Sequence, residues 1–172
     1  MFAGLRASYT VTRTATGMTV KDNVGSDGTD TLLGIERLQF ADVKIAMDVD
    51  GNGGMAYRLY QAAFNRTPDK GGLGFQMSAL DGGYNIAAVA ANFIASPEFT
   101  ATYGALDNAA FVTQLYQNVL HRAPDASGLA FHVNNLATGA NTRANVLVGF
   151  SESPENQAAL IGTIQNGMEF SS

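Results

Sequence analysis

Part of this chain is written twice, and that duplication limits the fold more than any other feature. Sliding residues 59–85 by 56 positions places Leu59-Tyr60-Gln61 on Leu115-Tyr116-Gln117 and Arg66-Thr67-Pro68-Asp69 on Arg122-Ala123-Pro124-Asp125. The same shift places Gly72-Leu73-Gly74-Phe75 on Gly128-Leu129-Ala130-Phe131, and 12 of the 27 positions are identical. After one inserted residue, Phe93 falls on Phe150 and Ser96-Pro97-Glu98 on Ser153-Pro154-Glu155. Agreement on this scale means one structural unit used twice. Within the unit, Leu59, Ala62, Ala63 and Phe64, and again Leu115, Val119 and Leu120, recur at helical spacing. The expectation is a helical domain over 55–172, with repeats at about 55–104 and 109–158 and a C-terminal helix.

The first 47 residues follow a different period. Tyr9-Thr10-Val11-Thr12-Arg13 and Met18-Thr19-Val20-Lys21 are β-branched alternating runs around Ala15-Thr16-Gly17, which predicts a hairpin. Thr31-Leu32-Leu33, Ile35 to Phe40 and Val43 to Ala46 alternate again beyond a Gly/Asp stretch. Residues 1–47 therefore read as a short antiparallel β element and 48–54 as a Gly/Asp joint. The fold class is α+β, mainly α: an N-terminal β element followed by a two-fold pseudo-repeated array of short helices.

Composition excludes several functions. Ten basic residues against 15 acidic ones, net charge −5, are scattered singly, so there is no Lys/Arg stripe of the kind that nucleic acid requires. No apolar run approaches the roughly 20 residues of a transmembrane helix. Met1 to Thr10 lacks a charged start followed by an apolar stretch, so no N-terminal export signal is expected in the chain as written, which suggests a piece of something larger. Cysteine is absent, removing disulfides, thiolate metal sites and Cys nucleophiles together. With 46% apolar residues, the chain has enough to bury a core.

The repeated motifs have structural readings. Ser-Pro-Glu is a helix start: Ser accepts an orphan N–H, Pro fits the first helical position and Glu suits the positive end of the dipole. In Arg-x-Pro-Asp-x-x-Gly-Leu, Pro-Asp ends one helix and begins the next, with Asp69 and Asp125 at the N-cap. Gly72 and Gly128 then lie in a first turn where a missing side chain permits close approach. Arg66 and Arg122, three residues before each Asp, are expected to pair with Asp69 and Asp125 or to cover the preceding helix's carbonyls. The other reading of the four is a ligand site.

The repeated Leu-Tyr-Gln-x(4)-Arg-x-Pro-Asp-x-x-Gly-Leu-x-Phe is preceded by Gly34 to Asp42 and by Asp48-Val49-Asp50-Gly51-Asn52-Gly53. Together these resemble the bacterial domain-of-unknown-function family 4214 over roughly residues 25–165. The resemblance implies a helical domain, similar to phycobilisome linker domains, near the C-terminal end of large secreted proteins and beside glycine- and aspartate-rich calcium-binding repeats of the RTX type. It implies no settled activity. Phe75 and Phe131 stand where the family pattern leads one to expect an aromatic pair, and Gln76 and His132 replace the second aromatic, which weakens the case for a sugar-stacking platform.

Calcium is the cofactor this pattern raises. Asp48, Asp50 and Asn52 occupy positions 1, 3 and 5 of an EF-hand-like loop, with Gly53 at position 6. Leu59 stands at position 12, where the bidentate Glu belongs, and Ala56 at position 9, so the loop is at best half a site. Gly25 to Leu32, which resembles one RTX repeat, offers Asp27 and Asp30 as a second, weaker metal candidate. The alternative is a Gly/Asp turn joining the two parts.

Catalysis finds little support. His121 and His132 are the only histidines, their repeat equivalents are Asn65 and Gln76, and no zinc-binding spacing is present. Glu152 and Glu155 sit at helical spacing, yet glycosidase chemistry also needs a cleft. The expected function is a non-catalytic extracellular or cell-surface accessory module of a calcium-associated bacterial secreted protein. Surface attachment, adhesion or glycan or protein binding would involve a groove with Tyr60, Tyr116 or Tyr84. The alternative is a small glycan- or ester-directed hydrolase using His121 or His132.

Overall fold

The computed structural model describes residues 1–171. Three strands, β1 (Tyr9–Arg13), β2 (Met18–Asp22) and β3 (Thr29–Leu32), form an antiparallel sheet in chain order. Val11 faces Val20 across β1 and β2, and Val20 faces Asp30 across β2 and β3. A second antiparallel sheet contains β4 (Arg37–Gln39), β5 (Lys44–Ala46) and β6 (Met168–Phe170). Its last strand comes from the far end of the chain, with Ala46 opposite Met168 and Lys44 opposite Phe170.

Eight helices lie between the two ends. They are α1 (Asn52–Phe64), α2 (Lys70–Asp81), α3 (Ile86–Ile94), α4 (Pro97–Tyr103), α5 (Asn108–Leu120), α6 (Ala126–Ala137), α7 (Arg143–Ser151) and α8 (Pro154–Ile164). The duplication is visible in their starts. Residues 52 and 108, and 70 and 126, keep the 56-residue offset, whereas 86 and 143, and 97 and 154, differ by 57. The inserted residue falls between α6 and α7. Even the helix ends agree: Asn65 and His121, the C-caps of α1 and α5, both take the left-handed conformation, at φ 53° and 52°. Asp69, Asp125, Ser96 and Ser153 each accept a backbone N–H three residues on, as N-cap residues do.

Two expectations need correction. The region read as wholly helical, 55–172, ends in a strand: α8 completes the second repeat, Gly167 turns the chain at φ +103°, and β6 returns to β5. Three residues alternating in, out and half-in are too few to show a period of two. The Gly/Asp joint is also shorter than 48–54, since Asn52, Gly53 and Gly54 form the first turn of α1.

Helix α1 is central, packing against α2, α3, α5 and α7, and every residue from Ala56 to Phe64 is buried. Ala62 and Ala63, fully buried, let α5 come close, and a polar network fixes that contact. Asn118, itself fully buried, donates to the Ala62 carbonyl and the Tyr103 hydroxyl at 3.0 Å each and accepts from Gln114 at 2.8 Å. Gln61 donates to the Asn118 carbonyl at 2.8 Å. A second, smaller core of Phe2, Tyr9, Met18, Val20, Leu38 and Phe40 lies under the N-terminal strands.

Candidate functional site

The repeated Arg and Asp form a cluster built the same way twice. After the left-handed Asn65, the chain runs through Pro68 to Asp69, whose carboxylate accepts the Gly72 N–H at 2.8 Å. Arg66 turns back, its guanidinium 4.8 Å from the centre of the Tyr60 ring and donating to the Tyr60 hydroxyl. Its nearest carboxylate is Glu98 at 2.6 Å, and Asp69 is 3.9 Å away. The expected Arg66–Asp69 pair is thus the secondary contact, and the Glu of Ser-Pro-Glu is the main partner. In the second copy Arg122 lies 5.3 Å from the Tyr116 ring and 3.9 Å from Glu155, and Asp125 accepts the Gly128 N–H at 2.8 Å.

Space is tight where the tyrosine ring meets the next helix. A Cβ at Gly72 would stand 3.1 Å from Tyr60 Cε2, and one at Gly128 2.4 Å from the Tyr116 hydroxyl. The hydrogen bond from Gly72 draws the Asp69 carboxyl below its usual range, and for Asp125 the Ser127 hydroxyl does most, followed by Gly128. Burial pushes the Tyr60 phenol up, and the Glu98 hydrogen bond does the same for Arg66. The cluster clamps α1 to the starts of α2 and α4. Tyr60 and Tyr116 are 4% and 7% exposed, so neither is available to line a surface groove.

What the repeats do present to solvent is phenylalanine. Phe75 on α2 is 71% exposed and Phe131 on α6 is 61% exposed, and they are equivalent under the 56-residue shift. Among the described residues, no other equivalent pair of large apolar side chains is exposed in both repeats. Tyr84, in the loop after α2, is 63% exposed and has no aromatic counterpart. The sequence pointed to positions 75 and 131 but not to their exposure, because a phenylalanine in an amphipathic helix gives no sign of which face it takes.

The two histidines are placed differently. His121 is the exposed C-cap of α5. His132 is half-buried, with its ring 5.3 Å from both Phe131 and Phe150 and its Nδ1 enclosed without a partner. Burial holds its pKa below the usual 6.5. A folded-state value below the unfolded one means full stability above about pH 6.5, with loss as pH falls from there toward the folded pKa. His132→Gln, which installs the first repeat's residue, is expected to flatten the melting temperature between pH 7 and 5. A Tm profile unchanged by the substitution would place the acid sensitivity elsewhere.

The joint is held by protein groups at the positions where a cation's ligands were expected. One Asp48 oxygen is paired with Arg37 and the other accepts the Gly53 N–H at 2.8 Å, while its backbone carbonyl accepts from Gly51 and Gly54 at 3.0 Å each. Arg37 also reaches Asp81 at 3.5 Å, and Asn52 donates its amide to Asp81 at 2.7 Å. Asp50 is exposed. Asp48 therefore caps α1 and neutralises Arg37, and a calcium ion would have to displace a guanidinium to reach it, so the arrangement does not fit a calcium cage. At the second candidate, Asp27 accepts the Tyr9 hydroxyl at 2.9 Å, and Asp30 lies in β3 opposite Val20. Among the described residues, no three His, Asp or Glu side chains gather closely enough to hold a metal.

Residues 90–160 match the model of the family described as Domain of unknown function (DUF4214). The match begins inside α3, crosses from the first repeat into the second and ends in α8. No curated protein and no solved structure matches the chain.

Proposed function

With residues 90–160 matching the model of the family described as Domain of unknown function (DUF4214), we propose that this chain is a non-catalytic interaction module of a secreted bacterial protein. It contacts a surface glycan or protein through Phe75 and Phe131. The observation that carries this reading is their paired exposure. A solvent-facing phenylalanine adds nothing to the core, yet both copies have one at the same helical position. Exposed aromatic rings supply contact area at low conformational cost and stack on sugar rings or fill apolar pockets. Two such residues on one rigid array also allow bivalent attachment, in which avidity exceeds the affinity of either contact.

The test is retention on immobilised polysaccharides and surface proteins. Phe75→Ala and Phe131→Ala are each expected to weaken binding about tenfold or more, and the double variant to abolish it with no change in the circular dichroism spectrum. Retention unaffected by the double substitution refutes the assignment. The hydrolase alternative predicts turnover in a glycan and ester panel that is lost in His132→Gln.

The calcium association of the proposed parent protein does not extend to the joint in this reading. With Arg37 already neutralising Asp48, the melting temperature is expected to coincide in chelator and in millimolar calcium. A rise of several degrees with calcium would return an ion to Asp48, Asp50 and Asn52.

A further inference from the structure

The two copies differ in what holds their second helix. In the first repeat, α2 packs against α1, α3 and β6, with Leu73 and Met77 1% exposed and Leu80 6%. In the second, α6 packs chiefly against α5 and none of its residues is buried, although Leu129 and Leu136 reach the core half-covered. A helix without a fully buried side chain lies at the low-stability end of a fold and opens before the rest. The chain before it turns through the left-handed His121, and the chain after it through Gly139 at φ +72°.

His132 stands in the middle of α6, where the first repeat has Gln76. Its ring rests 5.3 Å from Phe150 of α7 and the same distance from Phe131. Nδ1 is enclosed without a partner, so the neutral ring keeps its proton on Nε2 and leaves only a lone pair inside. Protonation would put an N–H and a positive charge at Nδ1, and an enclosed donor without an acceptor is costly. Among the described residues, the helices around the ring supply no free carboxylate. Neither α5 nor α6 contains Asp, Glu, Lys or Arg, and the titratable group on α5 is Tyr116, whose ring packs 5.0 Å from Phe150. On α7 the one charged residue is Arg143, held by the Leu106 carbonyl at 2.8 Å and Asn108 at 2.9 Å. The acidic groups at the ends of these helices are engaged elsewhere: Asp107 and Asp125 by the N–H groups of Ala110 and Gly128, Glu152 by Arg58 and Glu155 by Arg122. An ionised ring therefore has to reach water, and movement of α6 takes it there.

We propose that His132 is an acid-operated latch: on taking up a proton it frees α6 from α5 and α7 while the rest of the fold stays intact, and the contact made by Phe131 is released with it. The release of Phe131 rests on the binding role proposed above; the opening of α6 does not. Ionisation acts on Phe131 directly, because the two rings are in contact. The first repeat has the neutral Gln76 and keeps Phe75 in place, so mild acid turns a two-point attachment into a one-point attachment.

The test is amide hydrogen exchange of the wild-type chain and of His132→Gln at pH 7 and pH 5, read as protection factors so that the intrinsic pH dependence of exchange drops out. An imidazole that titrates near its ordinary pKa once released allows at most about a 25-fold change in opening between these two pH values. Wild-type α6 should lose protection severalfold, toward that ceiling, while α2 changes less than about twofold. Both helices should keep their protection in His132→Gln, and also in His132→Phe, which can still pack on Phe150 but cannot ionise. A loss in α6 below about twofold, a loss shared equally by α2, or one that persists in His132→Gln overturns the latch. Retention of Phe75→Ala, which attaches through Phe131 alone, should weaken from pH 7 to pH 5 by about twofold or more and hold steady once His132→Gln is added. Retention indifferent to pH while α6 opens overturns the release of Phe131. A chain retained at neither pH loses the binding role, and the exchange result still decides the latch.

Discussion

Replacing Arg58 with methionine is expected to lower the stability of the fold by about 3 kcal/mol, from the lower end of the range for breaking a buried ion pair. The Arg58 side chain is 5% exposed and makes a bidentate contact with Glu152, Nε to Oε1 at 2.9 Å and Nη2 to Oε2 at 2.5 Å. Its remaining nitrogen, Nη1, donates to the Val49 carbonyl at 2.7 Å. One side chain therefore ties the joint, the central helix α1 and the end of α7. Methionine fills most of the volume but leaves the Glu152 carboxylate, with its side chain 23% exposed, without its cation, and the Val49 carbonyl without its donor. Partial exposure of Glu152 is the reason for choosing the lower figure. For a chain of this length the loss corresponds to a fall in Tm of about 6–12 °C. Pairing Arg58→Met with Glu152→Met removes the stranded charge and is expected to recover part of the loss. A Tm within 2 °C of wild type for the single variant would show that the pair contributes almost nothing.

Arg58 also shows where sequence reading reached its limit. The duplication, the helix starts at Asp69, Asp125, Ser96 and Ser153, and the hairpin of β1 and β2 were all legible, because each rests on local chemistry: a cap, a proline or a period of two. The partner of Arg58 was not legible, since Glu152 lies 94 positions away and the second repeat has Gln114 in its place. Glu98 was missed for the same reason, because Asp69 is the nearer carboxylate along the chain and only the fold brings α4 to Arg66. The buried Asn118, opposite Ala62 in the repeat alignment, breaks the copy symmetry where α1 and α5 cross. A polar residue among apolar helical neighbours gives no sign in sequence of whether it faces solvent or a carbonyl. The calcium-like loop reads two ways for a physical reason. A helix N-terminus and a hard cation both attract alternating acidic oxygens, so Asp48-Val49-Asp50-Gly51-Asn52 satisfies either pattern until the position of Arg37 is known.

Gly54 is where that joint is most sensitive, and its substitution by alanine is expected to have the opposite sign from the one helix propensity gives. In an exposed helix interior, Gly→Ala gains about 0.5–1 kcal/mol. Gly149 in α7 and Gly162 in α8 have nothing within 4 Å of an added Cβ, so Gly149→Ala and Gly162→Ala should follow that rule. At Gly54, the added Cβ would stand 1.8 Å from the Val49 carbonyl oxygen and 2.8 Å from Arg58 Nη1. The obstruction is backbone, which cannot swing aside, and the same carbonyl receives the Arg58 hydrogen bond. Moving Val49 to make room therefore also breaks that bond and disturbs Asp48, whose carbonyl and carboxylate hold the first turn of α1. Overpacking of this kind costs about 3 kcal/mol or more, outweighing the propensity gain. Because Gly54→Ala and Arg58→Met act on one carbonyl, the double variant should lose clearly less than the sum of the two, by about 1 kcal/mol or more. Denaturant melts of the four proteins measure that coupling. Strict additivity would mean that the joint yields at Gly54 without disturbing the Arg58 contact.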